Sequence, residues 1–131
     1  MSMASEDLKD LLVNAGLNLT FGTNLFIGRM PATPDNCVVL IDVPGREPGL
    51  DYRNELVYEY PSVQVIVRNN GYKEGWEIIN SIREYLHGKH YVEVNSSEYK
   101  LIKCTVEPAF LRWDENNRAE FVTTFDMQKQ K

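Results

Sequence analysis

Apolar and polar positions alternate with two different periods along the chain, and each switch of period marks a predicted element. Leu8, Leu11, Leu12 and Ala15 recur at the i, i+3, i+4, i+7 spacing of one helical face. A first helix is therefore predicted over Glu6 to Ala15, with Ser5 as its N-cap and Gly16 closing the last turn. Leu25 to Arg29 reads as a short strand, stopped by the proline-containing run Met30 to Asp35. The unbroken apolar run Cys37 to Val43 predicts a strand covered on both faces, ended by Pro44-Gly45. After Pro61, the residues Val63, Val65 and Val67 alternate with Gln64, Ile66 and Arg68 at the period of a strand.

Asn69-Asn70-Gly71 breaks that pattern, and the period returns to helical over Tyr72 to His87, where Gly88 supplies the stop. Trp76, Ile79, Ile82 and Leu86 form its apolar stripe, so Trp76 and Ile79 are expected to be buried against the sheet face bearing the three valines. Three further strands are predicted, at Tyr91 to Val94, Lys100 to Glu107 and Arg118 to Met127. In the last, Ala119, Phe121, Thr123, Phe125 and Met127 share one face, and Met127 to Lys131 reads as frayed. Asn95-Ser96-Ser97 and Asp114 to Asn117 are the turns between them. Short connections favour antiparallel pairing, so the fold class is α+β, a mainly antiparallel sheet with two helices packed on one face.

The segment from Pro44 to Tyr60 fits neither period. It holds Pro44, Gly45, Pro48 and Gly49 among charges of both signs, and reads as a long loop or projecting hairpin. Unstructured connections longer than about 12–15 residues are uncommon in compact domains and are often functional. Arg46, Tyr52, Arg53, Tyr58 and Tyr60, aromatics set among mixed charges, are the candidate protein-interface residues. A merely tolerated insertion is the competing reading. The segment is expected to be mobile in the free subunit and to order on a partner.

A length of 131 residues fits one domain over 1–131. With 14 Lys plus Arg against 19 Asp plus Glu the chain is acidic, which argues against broad capture of nucleic acid. The longest apolar runs are far below the ~20 residues that span a bilayer, so no membrane segment is expected. Cys37 and Cys104 lie apart in a chain without a signal-peptide core and read as reduced, buried thiols of a cytosolic protein. His87 and His90 are separated by Gly88, which should end the helix between them, so no metal is expected. The glycines form no phosphate-binding spacing, and no cofactor is indicated.

Three segments carry a resemblance. Phe21-Gly22-Thr23-Asn24-Leu25-Phe26-Ile27-Gly28-Arg29-Met30-Pro31 is followed by Pro34-Asp35-Asn36-Cys37-Val38-Val39-Leu40, and later by Pro61 to Arg68. This ordered series, over about residues 5 to 112, resembles the small minor capsid proteins of tailed-phage structural cassettes, which are similar to tail terminator (head-tail joining) proteins. The resemblance implies an α+β subunit, without catalytic residues, that assembles into a ring, commonly a hexamer, at the head-proximal end of the tail. Its partners would be the tail-tube protein and the head-tail connector protein, with DNA only passing through the lumen. Its location would be the host cytoplasm during assembly and then the virion tail. Arg29, Pro31 and Asp35 read as turn-forming residues. Two other classes stay open: a small hydrolase or nuclease using His87, His90 and a carboxylate, and a monomeric protein-binding module.

Overall fold

The structure is a computed structural model that describes residues 3–50 and 56–130. Helix α1 (Ala4–Val13) is followed by strands β1 (Leu25–Ile27), β2 (Cys37–Leu50) and β3 (Leu56–Asn69), then helix α2 (Tyr72–Leu86). Strands β4 (His90–Val94), β5 (Ser97–Trp113) and β6 (Ala119–Gln130) complete the chain. All six strands form one sheet in the order β1-β2-β3-β6-β5-β4. Every neighbouring pair is antiparallel except β1 and β2, which run parallel. The mixed α+β class is as the periods predict, and the parallel pair is the departure from it.

The core is built on the period-two row of β3. Val63, Val65 and Val67 lie opposite Phe125, Thr123 and Phe121 of β6, and Val65 and Val67 lie opposite Leu40 and Val38 of β2. Leu8 and Leu12 of α1 and Ile79, Ile82 and Leu86 of α2 join the same buried cluster. Trp76 does not. The expected burial of Trp76 is wrong: its side chain is 49% exposed, and Gly75 takes the sheet-facing position instead. The reason is steric, because a Cβ on Gly75 would sit 2.6 Å from Cε1 of Phe121, so the helix approaches the sheet more closely than any side chain allows. With Gly75 facing the sheet, the next position, Trp76, lies about a quarter turn further round the helix, toward solvent.

Helix α1 starts earlier than the sequence predicts. Ser5 is a buried residue inside the helix rather than its N-cap, and the capping oxygens come from Asp42 of β2. Asp42 accepts hydrogen bonds from Ser5 N (3.1 Å) and Ser5 Oγ (2.6 Å), placing a carboxylate at the positive end of the helix dipole. Asp7, fully buried, accepts hydrogen bonds from Asn95 Nδ2 (2.9 Å) and from the Tyr99 hydroxyl, which ties α1 to the β4–β5 turn. Burial, then the bond to Asp7, pushes the Tyr99 pKa well above the usual phenol range, so the hydroxyl stays a donor. Asn95 and Ser96 make the two-residue turn with φ of 51° and 63°, the left-handed pair a tight hairpin needs.

Three further strand ends differ from expectation. β2 runs through Pro44-Gly45, β5 runs through Pro108 to Trp113, and β6 continues to Gln130 with Met127 buried rather than frayed. In β2 and β5 the prolines fall where the register shifts, between Val43 and Arg46 and between Val106 and Ala109. A bulge absorbs the missing N–H without ending the strand. No helix among the described residues is long and apolar enough to cross a membrane.

The segment 28–36 returns the chain from β1 to its parallel partner without a crossover helix, and two buried arginines hold it. Arg68 donates from Nε to the carbonyl of Asp35 (3.1 Å) and from Nη2 to that of Pro34 (2.6 Å). Arg118 donates from Nη1 to the carbonyl of Ala32 (2.8 Å) and to Asp35 Oδ1 (3.1 Å), and from Nε to Asp114 Oδ2 (2.7 Å). Burial pushes the Asp114 carboxyl upward, but hydrogen bonds from Arg118 and Asn116 and the guanidinium charge outweigh it and hold the group below its usual value.

Two predictions follow from this packing. Gly75→Ala should destabilise by about 1–3 kcal/mol through overpacking on Phe121, although alanine favours a helix interior over glycine by ~1 kcal/mol. Trp76→Ala, at a half-exposed site, should cost far less, and urea unfolding midpoints compare the two. For Asp114 the folded-state pKa lies below the unfolded value of 3.8, so its contribution is present above 3.8 and is lost as pH falls through the folded-state value. Asp114→Asn should lower the melting temperature at neutral pH and leave a smaller drop on acidification to below ~4 than the native chain shows.

Candidate assembly surface

The segment from Pro44 to Tyr60 departs from irregular loop structure wherever it is described: β2 continues to Leu50 and β3 begins at Leu56, so they form the arms of one hairpin. Tyr52 and Arg53 lie outside the described residues. Arg46, Tyr58 and Tyr60 are brought together by pairing, Arg46 opposite Tyr60 and Gly49 opposite Tyr58. The Arg46 guanidinium lies 3.9 Å from the Tyr60 ring centroid, a cation–π stack that holds both side chains on one side of the arm. Gly49 sits 3.6 Å, measured from a built Cβ, from the edge of the same ring.

Below the stack lies an open groove of about 270 Å³, lined by Arg46, Tyr60, Lys103, Thr105, Asp126 and Gln128 among others. Asp126 is oriented by a 2.5 Å hydrogen bond from Ser62 Oγ. Two cations, one fixed carboxylate and a stacked ring make a surface suited to recognising a mixed polar and aromatic partner. Proton transfer or bond cleavage would need an acid and base converging on one point.

The histidines supply no such pair. His87 Nδ1 accepts a hydrogen bond from Cys104 N (2.9 Å), while His90 Nδ1 faces the carbonyl of Gly88 at 3.1 Å. Each ring thus serves its own backbone neighbour. Among the described residues no group of three or more His, Cys, Asp or Glu side chains is arranged to hold a metal. Both cysteines are free thiols. Cys37 is buried, which pushes its pKa up. Asp35 is more than a turn-former, since it anchors the segment 28–36 to Arg118.

Sequence reasoning missed a second surface. Phe110 and Trp113, on the part of β5 beyond Glu107, pack with Tyr72 of α2 at ring-centroid distances of 5.3 Å and 6.1 Å from that tyrosine. Phe121 closes the cluster from beneath, 5.1 Å from Tyr72 and 5.8 Å from Phe110. Trp113 and Tyr72 remain about half exposed. The signal was present as three large apolar residues, Phe110, Leu111 and Trp113, within four positions, but Pro108 obscured the strand that carries them.

A family model for bacteriophage tail terminator proteins matches residues 11–131, and the chain belongs to that family, a family of phage tail structural proteins. The match reaches the C-terminus, beyond the stretch to about residue 112 on which the sequence motifs rest. A search of curated proteins finds no match. Among solved structures, a chain of the virion of a native gene transfer agent particle is similar with a TM-score of 0.70 at 10% identity, covering 98% of this chain and 95% of that one. A second solved chain gives a TM-score of 0.60 at 9% identity, covering 99% and 98% respectively. These likenesses, at such low identity, establish a shared fold.

The close approach of the hairpin arms generates a prediction. A Cβ at Gly45 would collide with the carbonyl oxygen of Tyr60 and lie 3.2 Å from the Pro61 carbonyl carbon, both backbone atoms that cannot rotate away. Gly45→Ala should force the arms apart. Amide hydrogen exchange is expected to speed up at Arg46 and Tyr60 while Val63 to Val67 keep their protection.

Proposed function

We propose that this chain forms a ring at the head-proximal end of a phage or prophage tail, where it ends growth of the tail tube and joins tail to head. In this reading it acts as one domain over 1–131, both helices cover the same sheet face, and the hairpin arm engages a neighbour. Arg46, Tyr58 and Tyr60, with Tyr52 and Arg53, make the arm's protein contacts. The partners are further copies of the chain, the tail-tube protein and the head-tail connector protein, and DNA passes through the lumen. The acidic balance of the chain fits a passage that must not hold a moving polyanion. Assembly takes place in the host cytoplasm, and the finished ring stays in the virion tail. It is not an enzyme in this reading.

The observation that carries the proposal is the family match over residues 11–131. The arm adds support, because its Arg46–Tyr60 stack holds a partly exposed ring in a fixed place. The test is complementation of a phage lacking this gene, with tails imaged by electron microscopy. Replacing Gly45 to Glu59 by a short Gly-Ser linker removes the outer parts of both arms and the pairing of Tyr58 and Glu59 with β6, but keeps the buried row Val63 to Val67, so the subunit should stay folded yet give overlong or unjoined tails. Normal tails joined to heads would exclude the arm as the assembly element. Normal tails in the phage lacking the whole gene would exclude the terminator role.

A further inference from the structure

We infer that Tyr72, Phe110 and Trp113 form the seat for a second copy of this chain, occupied by that copy's α1–β1 edge in a head-to-tail contact. The inference rests on the ring-forming reading above and names the surfaces that would make it. Its starting point is where the large apolar side chains are exposed. Among the described residues they belong to two separate groups. One comprises Phe21, whose backbone bridges to Leu25 of β1, with Met3 and Val13 at the two ends of α1. The other lies on α2, β4 and β5, and Tyr72, Trp76, Phe110 and Trp113 are its aromatic centre. Among the residues whose burial is described, none lies on β2, β3 or β6. Since β1 and β4 are the two ends of the strand order, Phe21 and the aromatic centre on α2 and β5 lie toward opposite lateral edges of one sheet.

The registers place the two edges at matching heights. Leu25 of β1 pairs with Val38, Val38 with Val67, Val67 with Phe121, and Phe121 with Phe110. A neighbouring copy set beside β5 without a shift along the strands therefore brings its β1 level with Phe110. Room for it exists there, because β4 pairs only with Ser97 to Leu101 of β5, residues 87–89 bond to Ile102 and Cys104, and among the described residues no strand pairs with the outer side of β5 beyond Cys104.

Area supports the same occupant. Aromatic side chains present about 150–250 Å² each, so four at roughly half exposure offer on the order of 400 Å² of apolar surface. A stable interface takes about 800 Å² from each partner, so the cluster supplies about half of one side, leaving the remainder to a polar rim. A contact between unlike surfaces of identical subunits propagates, and closes into a ring when the rotation allows. A patch meant for a different protein would need no counterpart on the opposite edge of this chain.

The test is cysteine cross-linking in particles made by complementation, in a Cys104→Ser background. A chain carrying both Phe21→Cys and Trp113→Cys should give a ladder of covalent multimers with a short bis-maleimide, whereas either substitution alone should give none. Covalent dimers from a chain carrying only one of the two substitutions, with Cys37 buried, would show a like-to-like contact and overturn the proposal. Absence of a ladder in particles that contain the double variant would overturn it as well, while leaving the terminator role intact. Should the double variant fail to enter particles, Thr23→Cys with Lys73→Cys, both at exposed polar positions beside the two surfaces, reads the same contact. Particles of normal tail length that lack the protein altogether would instead remove the ring reading on which the contact depends.

Discussion

The alternation of Val63, Val65 and Val67 along β3 is the constraint on which the other elements depend. A strand with neighbours on both sides, β2 and β6, has its backbone hydrogen bonds committed, so its side chains decide which face closes. A shift of one residue would exchange the three valines for Gln64, Ile66 and Arg68. Arg68 would then lose the carbonyls of Pro34 and Asp35, and the segment that returns the chain to β2 would lose its anchor. Register, core and edge strand are thus one decision made in the middle of the sheet.

The same strand shows why part of the fold could be read from the chain and part could not. Periods of two and 3.6 are local, and they located both helices, the valine row and the buried face of β6. The extents of β2 and β5 were misread because proline is a local stop signal whose effect depends on a neighbour. At Val43/Arg46 and Val106/Ala109 a bulge accommodates it, and nothing within the segment announces the bulge. The outward Trp76 is a similar case: Ile79, Ile82 and Leu86 are buried as their spacing predicts, but Gly75 rather than Trp76 continues the stripe at Phe121, and that encounter joins residues far apart in sequence.

The candidate surfaces divide along the same line. Arg46, Tyr58 and Tyr60 were visible as aromatics among mixed charges, and pairing across the arms explains why they gather. The aromatic cluster of Tyr72, Phe110 and Trp113 is legible only in part: Phe110 and Trp113 stand close together behind Pro108, but Tyr72 joins them from a helix start that only the sheet brings near. His87 and His90 illustrate the converse. Their short spacing suggested joint chemistry, whereas each ring serves the backbone around the β4–β5 entry.

The arginine clamp on residues 28–36 has a consequence for how such a subunit can drift over evolutionary time. Most of the acceptors that Arg68 and Arg118 use there are main-chain carbonyls, those of Ala32, Pro34 and Asp35. A carbonyl is supplied by any residue, so the identities of these positions can change while the hydrogen bonds persist, provided the two guanidiniums remain. A scaffold held in this way keeps its path with little memory of its letters. That is one physical route by which two chains can share a fold at a TM-score of 0.70 and only 10% of their residues.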